Sequence, residues 1–208
     1  MNDTPGSAAA PQGHHSPLTI ALHWATLAGL LMAVAAVLLR EVLDSDNLRT
    51  QLLALHRQAA LTVLVLLVLR LAARLGSGLR AAPAVAALPA WQRHAASLSH
   101  LALYAGLLAV PLLGSALSDA RGQHTDWLGW LPLPRLAATD PGLADTLEDL
   151  HQWAAWALGA LVLLHAGAAL WHHWVRRDGV LRAMWPRAPG PATQAGTEPD
   201  LSSARQQP

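Results

Sequence analysis

Three stretches of this chain run for more than twenty residues without an Asp, Glu, Lys or Arg. Pro17 to Leu39 covers 23 residues, His94 to Ser118 covers 25 and Leu150 to Val175 covers 26. A helix needs about 20 apolar residues to cross a hydrocarbon core of roughly 30 Å, so each run is long enough. A fourth run, Leu52 to Leu69, is interrupted only by Arg57 near its start and ends at Arg70. Four such runs are too many for a soluble helical bundle. The chain is predicted to be an all-α membrane protein, a four-helix transmembrane bundle with helices over about 18–39, 52–73, 97–118 and 150–174.

Composition agrees. Charged residues make up 13% of the 208 residues, against about 25% in soluble domains. The net charge of +1 gives no reason to expect nucleic-acid binding. The absence of Cys rules out disulfides, thiolate metal sites, iron–sulfur clusters and covalently attached haem. All 14 basic residues are Arg, which reads as codon bias. Residues 1–16 are rich in Gly, Pro, Ala and Ser and lack the basic start of a secretory signal. They are expected to form a disordered tail, as is the polar stretch 188–208. One membrane domain, 17–187, lies between them.

The arginines give an orientation. Arg74 to Arg93 holds three Arg and no acid, and Arg176, Arg177, Arg182 and Arg187 follow the last helix with Asp178 alone opposing. The other two loops hold Arg40, Arg49, Arg121 and Arg135 against nine acids. Both termini are therefore expected in the cytoplasm of a multi-pass inner-membrane protein. The loop Asp119 to Asp149 is expected outside, with Trp127 and Trp130 at the interface.

Eleven histidines are the unusual feature, and several fall inside the apolar runs. His23 lies near the inner start of the first helix and His56 near the outer start of the second. His151 opens the fourth helix, and His165 follows fourteen residues later. Fourteen helical residues rise about 21 Å and turn about 1400°, within roughly 40° of whole turns. His151 and His165 therefore share one face at two depths and cannot serve one metal. Depth then pairs His56 with His151 in an outer layer and His23 with His165 in an inner one. Two imidazoles facing each other suit six-coordinate haem iron, whereas zinc would need three or four clustered ligands. The expectation is two non-covalent b-type haems, with these four histidines as metal ligands. Gly159 and Gly167 in the fourth helix serve either close helix packing or clearance for a flat macrocycle.

The other candidates sit around this frame. Arg57, next to His56, is positioned to pair with a haem propionate or to snorkel to the headgroups. His100, near the inner start of the third helix, could replace a ligand, bind quinone or brace a neighbour. His172, seven residues past His165, is a second candidate for quinone contact at the inner mouth. His14, His15, His94 and His124 read as solvated.

The segments LTIALHWATLAG, LALHRQAALTVLVLLVLRLAARL, SHLALYAGLLAVPLLGSAL and LHQWAAWALGALVLLHAGAALWHHWVRRDGVLRAMWPR, in this order, resemble the bacterial cytochrome b561 family. The resemblance covers Pro17 to Arg187. It implies a di-haem inner-membrane cytochrome of four helices, with axial ligands at His23, His56, His151 and His165. It also implies electron exchange with the quinone pool, ubiquinone being a substrate, and superoxide as a periplasmic donor. The acidic balance of the outer loops weakens the case for an anionic donor. With two His on each iron no position is open for substrate, so the expected activity is outer-sphere electron transfer with quinone oxidoreductase chemistry at one end. A haem-b subunit serving a periplasmic redox enzyme and a non-redox protein such as a transporter are the alternatives. The sequence does not specify the oligomeric state.

Overall fold

The computed structural model describes residues 16–76 and 89–185. The expected tail 188–208, most of the tail 1–16, and Arg80, Arg187, His14 and His15 lie outside the described residues. Ser16 does not belong to a tail. It caps the first helix, its Oγ accepting from the Thr19 N–H at 3.2 Å, with Pro17 at the first helical position.

Four long helices form the bundle: α1 Pro17–Val42, α2 Asp46–Gly76, α3 Ala90–Ala120 and α4 Pro141–Trp171. All four are long and apolar enough to cross a membrane. α1, α2 and α3 outrun their expected spans at both ends and α4 at its start, because the flanking polar residues continue the helix past the apolar core. Asp46 to Gln51 form the first turns of α2. Asp140 caps α4, its carboxylate accepting from the Leu143 N–H at 3.1 Å, so His151 lies well inside α4 instead of opening it. Asp119 likewise belongs to α3, and the connection between α3 and α4 shrinks to 121–140.

That connection carries a short antiparallel pair, β1 Asp126–Trp127 with β2 Leu131–Pro132. Its turn puts Leu128 and Gly129 in the left-handed region, at φ 55° and 78°. A leucine pays strain there. It is held by Gln58 of α2, whose Oε1 accepts from the Leu128 N–H at 2.8 Å while its amide donates to Asp126 O at 2.9 Å. The Trp127 indole donates to Thr62 Oγ1 at 3.2 Å. The loop is thus bound to α2, and Trp130 stays exposed.

At the opposite end, α4 runs into a π-helical turn, His172–Arg176, closed by Arg177 in the left-handed region at φ 52°. The chain then folds back through a short 3-10 turn, Arg182–Met184. There the Trp24 indole of α1 donates to Met184 O at 2.8 Å, and the Trp24 and Trp185 rings meet edge to face at 6.3 Å. We call these two ends the hairpin end and the terminal end.

Packing is uneven. α1 lies closely on α2, and α3 on α4, with a narrower α2–α3 contact. Gly29 allows the first approach, since a Cβ there would stand 2.9 Å from Val63 Cγ2. Val63 and Leu67 of α2 join Leu103 and Leu107 of α3 and Leu158 of α4 in a small core. Gly159 and Gly167 are not packing glycines, for a Cβ on either would meet nothing within 4 Å. Outside the core, large apolar side chains point outward: Trp153 is 74% exposed and Leu163 is 75% exposed. In water such a surface would aggregate; in a bilayer it is the solvated surface.

Candidate functional site

α4 scarcely approaches α1 or α2 by its backbone, yet it is across these gaps that histidines meet. Near the hairpin end the His56 ring of α2 faces His151 of α4, with ring centres 6.2 Å apart and planes at 86°. Nearer the terminal end His23 of α1 faces His165 of α4 at 6.4 Å and 64°. The structure therefore brings together the two pairs expected from helical depth.

Their surroundings test whether a haem fits. An iron midway between two imidazoles, about 2.0 Å from each nitrogen and roughly 1.1 Å further from each ring centre, would set the centres about 6.2 Å apart. Both pairs stand close to this separation. His56 Nδ1 lies 2.8 Å from Ala33 O, and His151 Nδ1 lies 3.0 Å from Val110 O. A carbonyl only accepts, so Nδ1 carries the proton in each ring and Nε2 keeps its lone pair. A backbone tether on one nitrogen is the usual means of orienting a metal-binding histidine. Gly114 of α3 adds clearance: a Cβ there would come within 3.1 Å of His151 Cε1. No group of three or more His, Asp or Glu suited to hold a bare metal ion occurs among the described residues. The facing donors are one pair of imidazoles in each layer, which suits haem and not zinc.

His100 of α3 joins the second layer, its ring centre 5.2 Å from that of His165. That is shorter than an intervening iron would leave. Its Nδ1 is tied to Ala96 O one turn back at 2.7 Å. His172 lies elsewhere, with its ring against Trp171 and its Nδ1 2.5 Å from Asp178 Oδ2. The two candidate quinone residues thus have separate surroundings. Beside Asp178 a cavity of about 290 Å³ is lined by His173, Trp174, Arg177 and Arg182.

At the hairpin end Arg57 donates to the Gln123 side chain. Arg57, Arg40 and Arg49 line one cavity of about 530 Å³ with Gln123 and Asp46. Sequence reasoning summed charges over whole loops and missed this convergence. It also missed Gly114 and Asp178, since both depend on contacts between segments far apart or turned back by the π-helical turn.

Apolar helices enclosing paired imidazoles are the architecture of a membrane cytochrome b. A model of the family described as prokaryotic cytochrome b561 matches residues 14–187. The chain is 34% identical over 173 residues to cytochrome b561 homolog 1 of Escherichia coli strain K12, covering 83% of this chain and 97% of that relative. It is 33% identical over 133 residues to cytochrome b561 homolog 2 of the same organism, covering 62% and 68%. A protein of Yersinia pestis named probable superoxide oxidase CybB is 28% identical over 182 residues, covering 85% and 98%. This chain belongs to the prokaryotic cytochrome b561 family. It is a multi-pass membrane protein of electron transfer that works with b-type haem.

Proposed function

We propose that the chain moves electrons across the inner membrane through two bis-histidine b-type haems, from a small anionic donor at the hairpin end to a quinone at the terminal end. Both termini are cytoplasmic in this reading, and the hairpin end is periplasmic. The observation that carries it is the pair of imidazole couples, 6.2 and 6.4 Å between ring centres, spanning gaps that the helix backbones leave open. When bound, each haem supplies a one-electron couple between ferric and ferrous iron with no coordination position free.

The chain's own residues do the rest. His56 and His151 hold the outer haem, oriented by the Ala33 and Val110 carbonyls. His23 and His165 hold the inner one. Arg57, beside His56, is placed to meet an outer propionate as well as Gln123. Arg40 is paired with Glu41 at 3.0 Å, so Arg49 and Arg57 carry the positive balance of that cavity over Asp46, although the loops as a whole are acidic. A positive mouth concentrates a small anion, and the name of the Yersinia relative points to superoxide. Two superoxide anions would each give up one electron and leave as dioxygen. Two electrons and two protons from the inner side would convert one quinone to its quinol. His172 donates from Nδ1 to Asp178, so Nε2 of the neutral ring keeps its lone pair; a proton taken up there from the inner side would then be donated to a quinone oxygen. His100, with Nδ1 on Ala96 O, is the second such group.

The test is a haem count and a donor assay on the purified chain. Two haems per chain, with quinone reduced on addition of superoxide, are expected. One haem per chain, or haems that superoxide does not reduce, would contradict the reading.

A further inference from the structure

Charge inside a membrane is costly and marks a functional position by default. Arg70 is such a charge, and the route proposed above does not use it. It follows the apolar run of α2 and is only partly exposed. α2 and α4 both run from the hairpin end to the terminal end. His56 and Arg70 are fourteen residues apart, the same interval that separates His151 from His165. In both helices that step is about 21 Å and close to whole turns. Since His56 faces His151, Arg70 takes the place on the same face of α2 that lies level with His165.

One contact agrees. The guanidinium stands over the Tyr104 ring of α3, 5.6 Å from its centre. Tyr104 is one helical turn from His100. The ion pairs among the described residues are Arg40–Glu41, Arg121–Glu148 and His172–Asp178, so no carboxylate holds Arg70.

We propose that Arg70 is the charge of the inner haem site, a guanidinium steadied by Tyr104 beside the His23–His165 pair that makes this haem easier to reduce. The inference rests on the reading that His23 and His165 hold a haem. A fixed cation in a poorly screening interior stabilises an added electron nearby. It also offers a bidentate partner to a propionate, and losing that partner would leave the propionate charge to oppose reduction. Both effects have one sign: they favour electrons in the inner layer, the direction the proposed route needs.

The test is an absorbance-monitored redox titration of the purified holoprotein, with the inner haem identified as the component missing from His165→Ala. Arg70→Gln should lower the reduced-to-oxidised ratio of that component roughly tenfold at fixed potential, about 59 mV for one electron. The other component should stay in place, and Arg70→Lys, which keeps the charge but loses the bidentate fork, should fall by less than Arg70→Gln. An unmoved inner component in Arg70→Gln, or an equal fall in Arg70→Lys, would overturn the proposal. If Arg70→Gln sheds the inner haem, Arg70→Lys decides by the same comparison. If His165→Ala removes no component at all, the haem assignment itself fails and takes this inference with it.

Discussion

Gly114 stands so close to His151 that a methyl group added to it would meet the imidazole Cε1 at 3.1 Å. Two helices approach here so that one ring can be held edge-on against bare backbone, with its Nδ1 on Val110 O. Gly114→Ala should displace the ring at a cost of about 1–3 kcal/mol, the usual range for overpacking. Haem occupancy at the hairpin end should fall, and Gly114→Val should abolish it. Absorbance spectra of the two variants provide the check, and full occupancy in Gly114→Val would remove this role for the glycine.

Orientation can be read with a reporter active only outside the cytoplasm. Seven Arg flank the terminal end and four the hairpin end. A fusion after Arg187 should therefore be silent, and one in the connection 121–140 should be active. The reverse pattern would exchange the two faces of the route.

The arginine cavity predicts a salt-dependent donor reaction. At low ionic strength, Arg40→Gln combined with Arg49→Gln should slow reduction by superoxide by at least about tenfold, the low end of electrostatic steering. Near 1 M salt, where the screening length is about 3 Å, wild type and variant should converge. Equal rates at low salt would mean that the donor does not enter here.

Proton delivery to quinone is separable from haem binding. In His172→Gln and in His100→Gln both haems should remain bound and reducible by a small donor. Onward transfer to a soluble quinone analogue should slow by at least about tenfold, the lower range for losing a positioned proton donor. Asp178→Asn should behave like His172→Gln, because it weakens the 2.5 Å contact that fixes the ring. Wild-type quinone kinetics in all three would leave the quinone site unassigned. Loss of a haem in His100→Gln would make His100 a ligand and put His23 in question.

Helix number and histidine depth were legible because both are one-dimensional properties. An uncharged run reports its own length, and a fourteen-residue interval reports its own face and rise. Helix ends were not, since Asp46 and Asp140 look like loop residues until they are seen to start or cap a helix. The site's finer parts depend on contacts between distant segments. Nothing local marks Ala33 O or Val110 O as the anchor of a ring. The charges of Arg40, Arg49 and Arg57 are diluted in any loop-by-loop sum but gather around one cavity. Asp178 reads as a lone acid among arginines until the left-handed Arg177 turns it back onto His172.

The most direct measurement compares reduced-minus-oxidised spectra of four single variants. If the histidines work in two layers, His56→Ala and His151→Ala should lose the same haem and leave the same residual spectrum. His23→Ala and His165→Ala should lose the other and leave a different one. Identical residual spectra from His151→Ala and His165→Ala would contradict the two-layer arrangement, and with it the proposed route across the membrane.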